Sequence, residues 1–443
     1  MSYDSVFAHY RAHLERVTAA AAQALAAGGH EALVIHSGTP HRRFRDDYEL
    51  PFKVNPLIAW WAPVATPHCA LYFAPGARPA LWYWQPEDYW YLPPAAPDER
   101  WAGEFELVIV RNEDDWRRVT KNRPGLAVIA EQEATAAAHF PAAEINPVRL
   151  IGRLEEARTV KSDYEIACLA AATARAERGH RAAAAAFARG AAELEIHLAY
   201  LAAARAAEEN LPYHNIVALN EHAAVLHYQG LDPAPPAARH SFLLDAGAEF
   251  AGFAADITRT YAAGNGLFAD LVTALDDAQQ RLVTYCDAGS DYRELHLTAH
   301  SAIAGILHDA GIVRLAPQAQ VEQGISRAFF PHGLGHFLGL QVHDAAGLLA
   351  PDGTPRPRPE GHPYLRLTRD LEAGNVLTVE PGLYFIPQLL AGLRADPDKA
   401  RHVDWDLVER LIPCGGIRIE DNVVIQPAGP PRNLTREAFA AAK

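Results

Sequence analysis

The chain has 443 residues, which is long for a single hydrophobic core, so two domains are expected. Its formal net charge of −14 leaves no basic surface for the phosphates of nucleic acids or anionic lipids, and we expect neither a nucleic acid nor a membrane as a partner. No apolar run approaches the roughly 20 residues of a membrane span, and charges interrupt the first apolar residues, so a cytoplasmic protein is predicted. Four scattered cysteines without a CxxC pair fit free thiols in a reducing compartment.

The first part of the chain predicts a small α/β domain, assigned to residues 1–155. Apolar residues recur at helical spacing from Val6 to Val17, and Gly28 and Gly29 end this pattern. Strand-like runs follow, separated by polar, proline-containing and helical stretches: EALVIHSG, CALYFAP, PALWYWQ, FELVIV and LAVIAEQ. Six of the eight tryptophans precede residue 102, and we interpret this Trp-rich stretch as core.

The second domain is assigned to residues 156–443 and begins with a long, alanine-rich helical pattern, RTVKSDYEIACLAAATARAERGHRAAAAAFARG. A second helical run follows, AAELEIHLAYLAAARAAE. The strands beyond these helices carry the residues of chemical interest.

Two aspartates occupy an apolar hairpin in SFLLDAGAEFAGFAADITRTYA. Two strand-like runs are joined by a turn at Gly252, and they carry Asp245 and Asp256. An ionised carboxylate among apolar neighbours costs several kcal/mol unless a cation compensates it, and a shared metal pair would compensate both. The alternative is that one aspartate caps a turn and the other pairs with Arg259.

Three histidines lie within twelve residues of a glycine-rich segment, FFPHGLGHFLGLQVHD. They are His332, His336 and His343. Histidine is the commonest metal ligand and the natural proton carrier near neutral pH, and glycines let the backbone approach a ligand closely. A single histidine would be read as structural, but this cluster indicates a site.

Two glutamates in strand contexts complete the set. Glu380 ends the strand-like run NVLTVEPG, and Glu420 lies in GGIRIEDNVVIQ, where Arg418, Glu420 and Asn422 share one face. The alternative for Glu420 is a simple ion pair with Arg418. Four carboxylates and one imidazole suit manganese, with cobalt or zinc as alternatives, and two divalent ions would balance the four negative charges.

The segments LLDAGAEFAGFAADITRTY, FFPHGLGHFLGLQVHD, VLTVEPGLYF and GGIRIEDNVVI, in this order, resemble those of the pita-bread metallopeptidases. DDYELPFKVNP in the first domain narrows this resemblance to bacterial Xaa-Pro dipeptidases, or prolidases, to which the organophosphorus acid anhydrolases are similar. The resemblance implies an α+β chain, with a small N-terminal α/β domain before a C-terminal pita-bread catalytic domain. It also implies hydrolysis of Xaa-Pro dipeptides by a hydroxide that two metal ions activate.

The resemblance assigns roles to the residues that match its motifs. Asp245 and Glu420 are expected to bind one ion or bridge both, and His336 and Glu380 to bind the other. The remaining metal ligand is Asp256. Glu380 is also expected to handle the proton of the attacking water, with His332 and His343 polarising the scissile carbonyl or holding the substrate.

Further residues are expected to bind the substrate. By resemblance, Arg366 captures the proline carboxylate, and Arg418 orients Glu420 and borders the pocket. Tyr213 and His227 either line the pocket or pack in the core. Asp46, or its neighbour Asp47, would hold the substrate amine, and in similar enzymes this loop reaches a neighbouring subunit, which implies a homodimer.

Two other functions are alternatives to the dipeptidase. An aminopeptidase P would remove the residue before proline from longer peptides with the same metal set, although the chain length and PFKVNP argue against it. A metal-free pita-bread scaffold used for binding is the other rival. Slow hydrolysis of organophosphate triesters is an additional expectation, and the proline-rich stretch after His343 is predicted to form a loop near the entrance.

Overall fold

The structure is a computed structural model that describes residues 3–120 and 125–442. The chain divides into two compact units, Met1–Cys168 and Leu169–Lys443. This division falls within a helix, whereas the sequence placed a boundary between residues 155 and 156, and that boundary stays a prediction. In the described part of the chain, no helix combines the length and apolar character that crossing a membrane requires.

The first unit is built on a mixed six-stranded sheet with the strand order β4-β3-β2-β1-β5-β6. Its strands are β1 (Ala32–His36), β2 (Ala70–Phe73), β3 (Ala80–Trp84), β4 (Glu106–Val110), β5 (Leu126–Ile129) and β6 (Glu144–Ile145). Each of the five predicted runs forms a strand, so this part of the prediction is confirmed. The sequence missed β6, because two residues are too few to show alternation.

Helices precede, separate or follow these strands along the chain. They are α1 (Tyr3–Phe7), α2 (Tyr10–Gly28), α3 (Pro56–Trp61), α4 (Glu99–Ala102), α5 (Glu113–Thr120), α6 (Glu133–His139), α7 (Val148–Thr159) and α8 (Asp163–Ala188). Gly29 ends α2 in the left-handed conformation, with φ 74°, as the glycine stop predicted. Trp60, Trp61 and Trp82 are buried, as the core interpretation predicts, whereas Trp90 is 77% exposed.

The long helical pattern that begins the second predicted domain is divided into α7 and α8. Ser162 and Glu165 form a capping box, in which the Ser162 N–H donates to Glu165 Oε2 at 2.8 Å and the Glu165 N–H donates to Ser162 Oγ at 3.4 Å. A new helix therefore starts at Asp163, and the S-x-x-E signature was the signal in the sequence.

The second unit combines helices with short antiparallel strands. Its further helices are α9 (Glu193–Ala204), α10 (Leu267–Thr284), α11 (Tyr292–Asp309), α12 (Pro317–Glu322), α13 (Ser326–Phe329), α14 (Pro387–Arg394), α15 (Pro397–Ala400), α16 (Trp405–Leu411) and α17 (Leu434–Ala441). Its strands are β7 (Ile216–Leu219), β8 (Ser241–Asp245), β9 (Glu249–Phe250), β10 (Phe253–Ala254), β11 (Thr258–Ala262), β12 (Val376–Val379), β13 (Gly382–Tyr384), β14 (Gly416–Arg418), β15 (Asp421–Val424) and β16 (Arg432–Asn433).

These strands form small antiparallel sheets, in the orders β11-β8-β7, β12-β15-β16, β13-β14 and β10-β9. A large apolar core includes Leu275 and Leu282 of α10, Ile303 of α11, and Leu377 and Val379 of β12. Because apolar residues of β12 enter this core, Glu380, which directly follows the strand, is left at the edge of the core.

Two predicted elements differ in detail. The hairpin around Gly252, whose φ is 84°, is a short β9–β10 pair, and Asp256 lies just before β11 and not within a strand. The predicted strand around Glu420 is two strands, because β14 pairs with β13 whereas β15 pairs with β12. Glu420 lies in the break between them, where its N–H donates to the Thr258 carbonyl at 3.1 Å.

Candidate metal centre

Asp245 and Asp256 are brought together at the start of the β8–β11 pair. In the register of this pair, Asp245 lies opposite Thr258, two residues after Asp256. The hydroxyl of Tyr213 donates to Asp245 Oδ1 at 2.8 Å and also lies 2.6 Å from Asp256 Oδ1. One phenol therefore contacts both carboxylates, which places them as the hairpin pattern predicted.

The arginines next to these acids have partners other than those considered from the sequence. Arg259 pairs with Asp421 at 2.6 Å, so the suggested pairing of Arg259 with Asp245 or Asp256 is wrong. Arg418 pairs with Asp245 at 2.7 Å, and Glu420 accepts instead from the Thr258 hydroxyl at 2.6 Å. The simple Arg418–Glu420 ion pair is therefore also wrong.

His336 presents one ring nitrogen to the carboxylates. Its Nδ1 donates to the Phe337 carbonyl at 2.9 Å, and its Nε2 lies 3.5 Å from Asp256 and 3.4 Å from Glu380. A backbone acceptor on Nδ1 favours the tautomer with a lone pair on Nε2, as in metal-binding histidines. The Thr378 hydroxyl donates to Glu380 Oε1 at 3.2 Å, which holds that carboxylate beside the imidazole.

The central group of ligand atoms is compact. Asp256, His336 and Glu420 each offer one ligand atom, and these atoms lie within 4.8 Å of one another. Asp256, His336 and Glu420 are buried, and Asp245 and Glu380 are largely so. The five residues predicted as ligands therefore form one contact network, directly or through Tyr213 and Arg418.

The electrostatics of this network call for cations. Burial and neighbouring carboxylates raise the pKa of Asp245 and of Glu420, and they raise the pKa of Glu380 to about 7. For Asp256, hydrogen bonding and charge from His336 outweigh burial and lower the pKa. Four ionised acids in a space this small repel one another, and bound divalent cations would compensate their negative charge. The donor set fits a pair of hard divalent cations.

His332 and His343 lie beside the carboxylates as neutral imidazoles. His332 Nε2 lies 2.8 Å from the Tyr384 hydroxyl, and the ring of His343 meets that of His336 edge-on, with centroids 4.4 Å apart. Removal from bulk water and positive neighbours lower the pKa of both histidines to about 3. At neutral pH the single N–H of His332 is on Nδ1, which donates to the Gly333 carbonyl at 2.8 Å, whereas the N–H of His343 can be donated to a polar group in the site.

A cavity of 520 Å³ opens onto this network. The predicted substrate residues that line it are His227, Arg366 and Arg418, together with His332 and His343. The Tyr213 hydroxyl contacts the carboxylates of Asp245 and Asp256 themselves, and its role toward a substrate stays a prediction. The proline-rich stretch between α13 and β12, all of it described, has no helix or strand, and it contributes Arg358 and Tyr364 to the cavity wall.

Asp46 and Asp47 lie in the other unit. Both side chains are exposed, and Asp46 Oδ1 accepts from the Tyr48 N–H at 3.3 Å. Their role toward a substrate amine stays a prediction.

The sequence did not identify three residues that organise the site. The Tyr384 hydroxyl lies between His332 Nε2 and Arg418 Nη1, which donates to it at 2.7 Å. Thr258 links Arg418 to Glu420, and Thr378 holds Glu380. The sequence could have pointed to the two threonines, because ITRTY in β11 and VLTVE in β12 place hydroxyls among apolar residues. A hydroxyl in a buried strand needs a hydrogen-bond partner.

Two glycines allow the segments of the site to pack closely. A Cβ on Gly335 would overlap the Thr378 carbonyl oxygen, and a Cβ on Gly247 would overlap that of Ala255. These glycines adjoin His336 and lie near Asp245, so the close approach of chain segments brings the ligands together.

Comparison with known proteins gives the same picture. Residues 167–427 match the model of metallopeptidase family M24, and residues 8–155 match that of the Xaa-Pro dipeptidase N-terminal domain. An Xaa-Pro dipeptidase of Xanthomonas oryzae pv. oryzae (strain MAFF 311018) is 47% identical over 446 residues, covering 100% of both chains. One of Stenotrophomonas maltophilia (strain R551-3) is 46% identical and covers 98% of each.

Solved structures show the fold. Zn-substituted E. coli aminopeptidase P in complex with product superposes with a TM-score of 0.72 at 22% identity, covering 100% of this chain and 99% of that one. Proline aminopeptidase P II from Yersinia pestis gives 0.71 at 24%, covering 99% and 97%. The fold is thus an N-terminal domain followed by a pita-bread catalytic domain, and the family implies a dinuclear site for divalent metal ions. The chain belongs to metallopeptidase family M24 and, within it, to the Xaa-Pro dipeptidases.

Proposed function

We propose that this protein hydrolyses dipeptides of the form Xaa-Pro with a pair of manganese ions held by five side chains. The ligands are Asp245, Asp256, His336, Glu380 and Glu420. The observation that carries the proposal is their convergence around the ligand atoms of Asp256, His336 and Glu420, which lie within 4.8 Å of one another beside a cavity. When bound, the two ions supply Lewis acidity and activate a water molecule.

The proton of the attacking water passes to Glu380. This carboxylate lines the cavity, where it can accept a proton from a water molecule and return it. Thr378 holds one of its oxygens, which fixes the direction of the other. The remaining acids act as ligands.

The substrate is held by the residues around the cavity. The bond before proline is a tertiary amide without an N–H, so recognition relies on the carbonyl and the two termini. His343 donates toward the scissile carbonyl, His332 holds the substrate by contact from the cavity wall, and Arg366 binds the proline carboxylate. Arg418 keeps Asp245 in place through their 2.7 Å ion pair, and His227 borders the pocket.

Two finer features of the proposal come from the family. Asp46 holds the substrate amine from the neighbouring subunit of a homodimer. A cytoplasmic location fits the four cysteines, which are all free and buried. Substitution of Asp46 by Asn is expected to raise KM for dipeptides with little change in kcat.

The test is a paired assay on metal-stripped protein. Cleavage of Ala-Pro is expected to return on adding manganese, whereas Ala-Pro-Ala is cut little, because a closed pocket holds both termini of a dipeptide. Comparable cleavage of both peptides would instead indicate an aminopeptidase P activity, the activity for which its structural neighbours are named.

The metal content of the same sample tests the other alternative, a metal-free scaffold used for binding. Two ions per subunit are expected, and a protein that binds none and shows no metal-stimulated hydrolysis would be a metal-free scaffold. Hydrolysis of organophosphate triesters stays a prediction, to be measured against Glu380→Gln as the inactive control.

A further inference from the structure

A second cluster of histidines lies outside the carboxylate network. His296 and His300 are one turn apart on α11, and His362 belongs to the proline-rich segment that packs against this helix. The three ring centroids are 4.7, 4.7 and 4.5 Å apart. A pair of histidines at i and i+4 presents both rings on the same face of a helix, as helical metal sites do.

The ring nitrogens of this cluster are arranged as ligands. His296 Nε2 lies 2.9 Å from His362 Nδ1, and one nitrogen from each ring can be chosen so that all three lie within 4.8 Å of one another. Nitrogens around a tetrahedral zinc ion are about 3.3 Å apart, given Zn–N bonds of about 2.0–2.1 Å. A small movement of the loop that carries His362 would bring the set to this spacing.

Hydrogen bonding leaves a buried lone pair free for a metal. His300 Nδ1 lies 3.1 Å from the Ser326 hydroxyl, and the tautomer that donates to Ser326 has its lone pair on Nε2. Within residues 3–120 and 125–442, neither His300 Nε2 nor His296 Nδ1 has a hydrogen-bond partner, and both histidines are 1% exposed. An unpartnered polar atom at such a depth is costly, and a metal ion would satisfy the lone pair of His300.

The cluster borders its own cavity of 190 Å³, which is lined by His296 and His362. This volume leaves room for a water molecule as a fourth ligand. Some wall residues are shared with the 520 Å³ cavity of the carboxylate centre: Pro331, His332, Pro363, Tyr364 and Leu389. An ion bound by the histidines would thus fasten a wall of the substrate cavity.

We propose that His296, His300 and His362 form a separate site for one first-row divalent ion of the zinc class, which ties the proline-rich segment to α11. Three neutral nitrogen donors suit zinc, nickel or copper, whereas the oxygen-rich carboxylate centre suits manganese. The two sites therefore differ in the ions that they prefer, although zinc can occupy both.

The charges around the three histidines determine how tightly they bind a metal ion compared with the carboxylate centre. Burial lowers the pKa of His296 to about 3, that of His300 to about 2 and that of His362, so all three are neutral ligands at pH 7. Arg327 adds a nearby positive charge that acts on His300 and His362. Because this charge also opposes a cation, the histidine site fills after the carboxylate centre.

The experiment counts zinc ions per subunit by native mass spectrometry, using full-length protein that has been metal-stripped and then titrated with zinc. The wild-type protein is expected to reach three ions, and His362→Asn to reach two. His362 lies in a partly exposed loop segment, so this variant keeps the fold. Asp256→Asn is expected to lose ions from the carboxylate centre while keeping the ion of the histidine site.

A matched control lies on the same helix. His308 is exposed near the end of α11, and His308→Gln is expected to bind three ions like the wild-type protein. A wild-type maximum of two ions, or an equal count in the wild-type protein and in His362→Asn, overturns the proposal. Neither result affects the dipeptidase function, which depends on the first two ions.

Discussion

At the scale of single residues, the site depends on groups that hold the ligands as well as on the ligands. The Tyr213 hydroxyl contacts Asp245 and Asp256 at 2.8 and 2.6 Å, and Arg418 contacts Asp245, Thr258 and Tyr384. Partners that hydrogen-bond to ligands fix their orientation and raise metal affinity. Loss of one such partner weakens binding without removing a ligand.

We predict that Tyr213→Phe weakens manganese binding by about 10- to 100-fold, because both aspartates lose a shared donor. The measurement is the dissociation constant for manganese by isothermal titration calorimetry on metal-stripped protein.

The control for this prediction is Tyr200→Phe. The hydroxyl of buried Tyr200 donates to the Gly247 carbonyl at 2.8 Å and not to a carboxylate. This variant is expected to lose about 1 kcal/mol of stability while keeping its manganese affinity. Equal affinity in Tyr213→Phe and the wild-type protein would show that the phenol does not hold the ligands.

At the scale of elements, close packing positions His336. The segment before it passes so near β12 that Gly335 has room only for hydrogen at its Cα, and the Thr378 N–H donates to the His336 carbonyl at 2.9 Å. The glycine-rich sequence is therefore needed for the contact that sets His336 beside Glu380.

We predict that Gly335→Ala destabilises the protein by about 3 kcal/mol and reduces its metal content, because the added methyl group forces His336 away from β12. Thermal unfolding and elemental analysis of the same samples measure both effects.

Gly305→Ala provides the comparison. Gly305 lies inside α11, and a Cβ there meets no atom within 4 Å in the described structure. Alanine is expected to stabilise this helix by about 0.5–1 kcal/mol. If Gly335→Ala unfolds no earlier than Gly305→Ala, the close packing at β12 does not position His336.

At the scale of the whole molecule, the buried acids couple folding to pH and to metal. The pKa of Glu380 is raised to about 7 by burial and by neighbouring acids, compared with 4.5 for an unperturbed glutamate. The folded protein therefore holds a proton that the unfolded chain releases between these values, and metal-free protein loses stability as pH rises through this window. Bound cations remove this penalty.

We predict that the free energy of unfolding of metal-free protein falls by about 3 kcal/mol between pH 4.5 and 7 on account of Glu380, whereas manganese-loaded protein falls less. The stabilisation by manganese thus grows with pH, and urea titrations at several pH values measure it. In Glu380→Gln this contribution is absent. Parallel curves for metal-free and manganese-loaded protein would contradict the prediction.

The sequence alone determined five of the six strands of the first unit, the aspartate hairpin, the glycine-rich histidine segment and the family, because these depend on local periodicity and on motifs. Only the tertiary structure decided that Arg418 pairs with Asp245, that Tyr213 contacts both aspartates, and that Glu420 lies between two strands. It alone also showed the cluster of His296, His300 and His362. The physical reason is that such contacts join residues far apart in the chain, and sheet pairing and helix packing decide which of them meet.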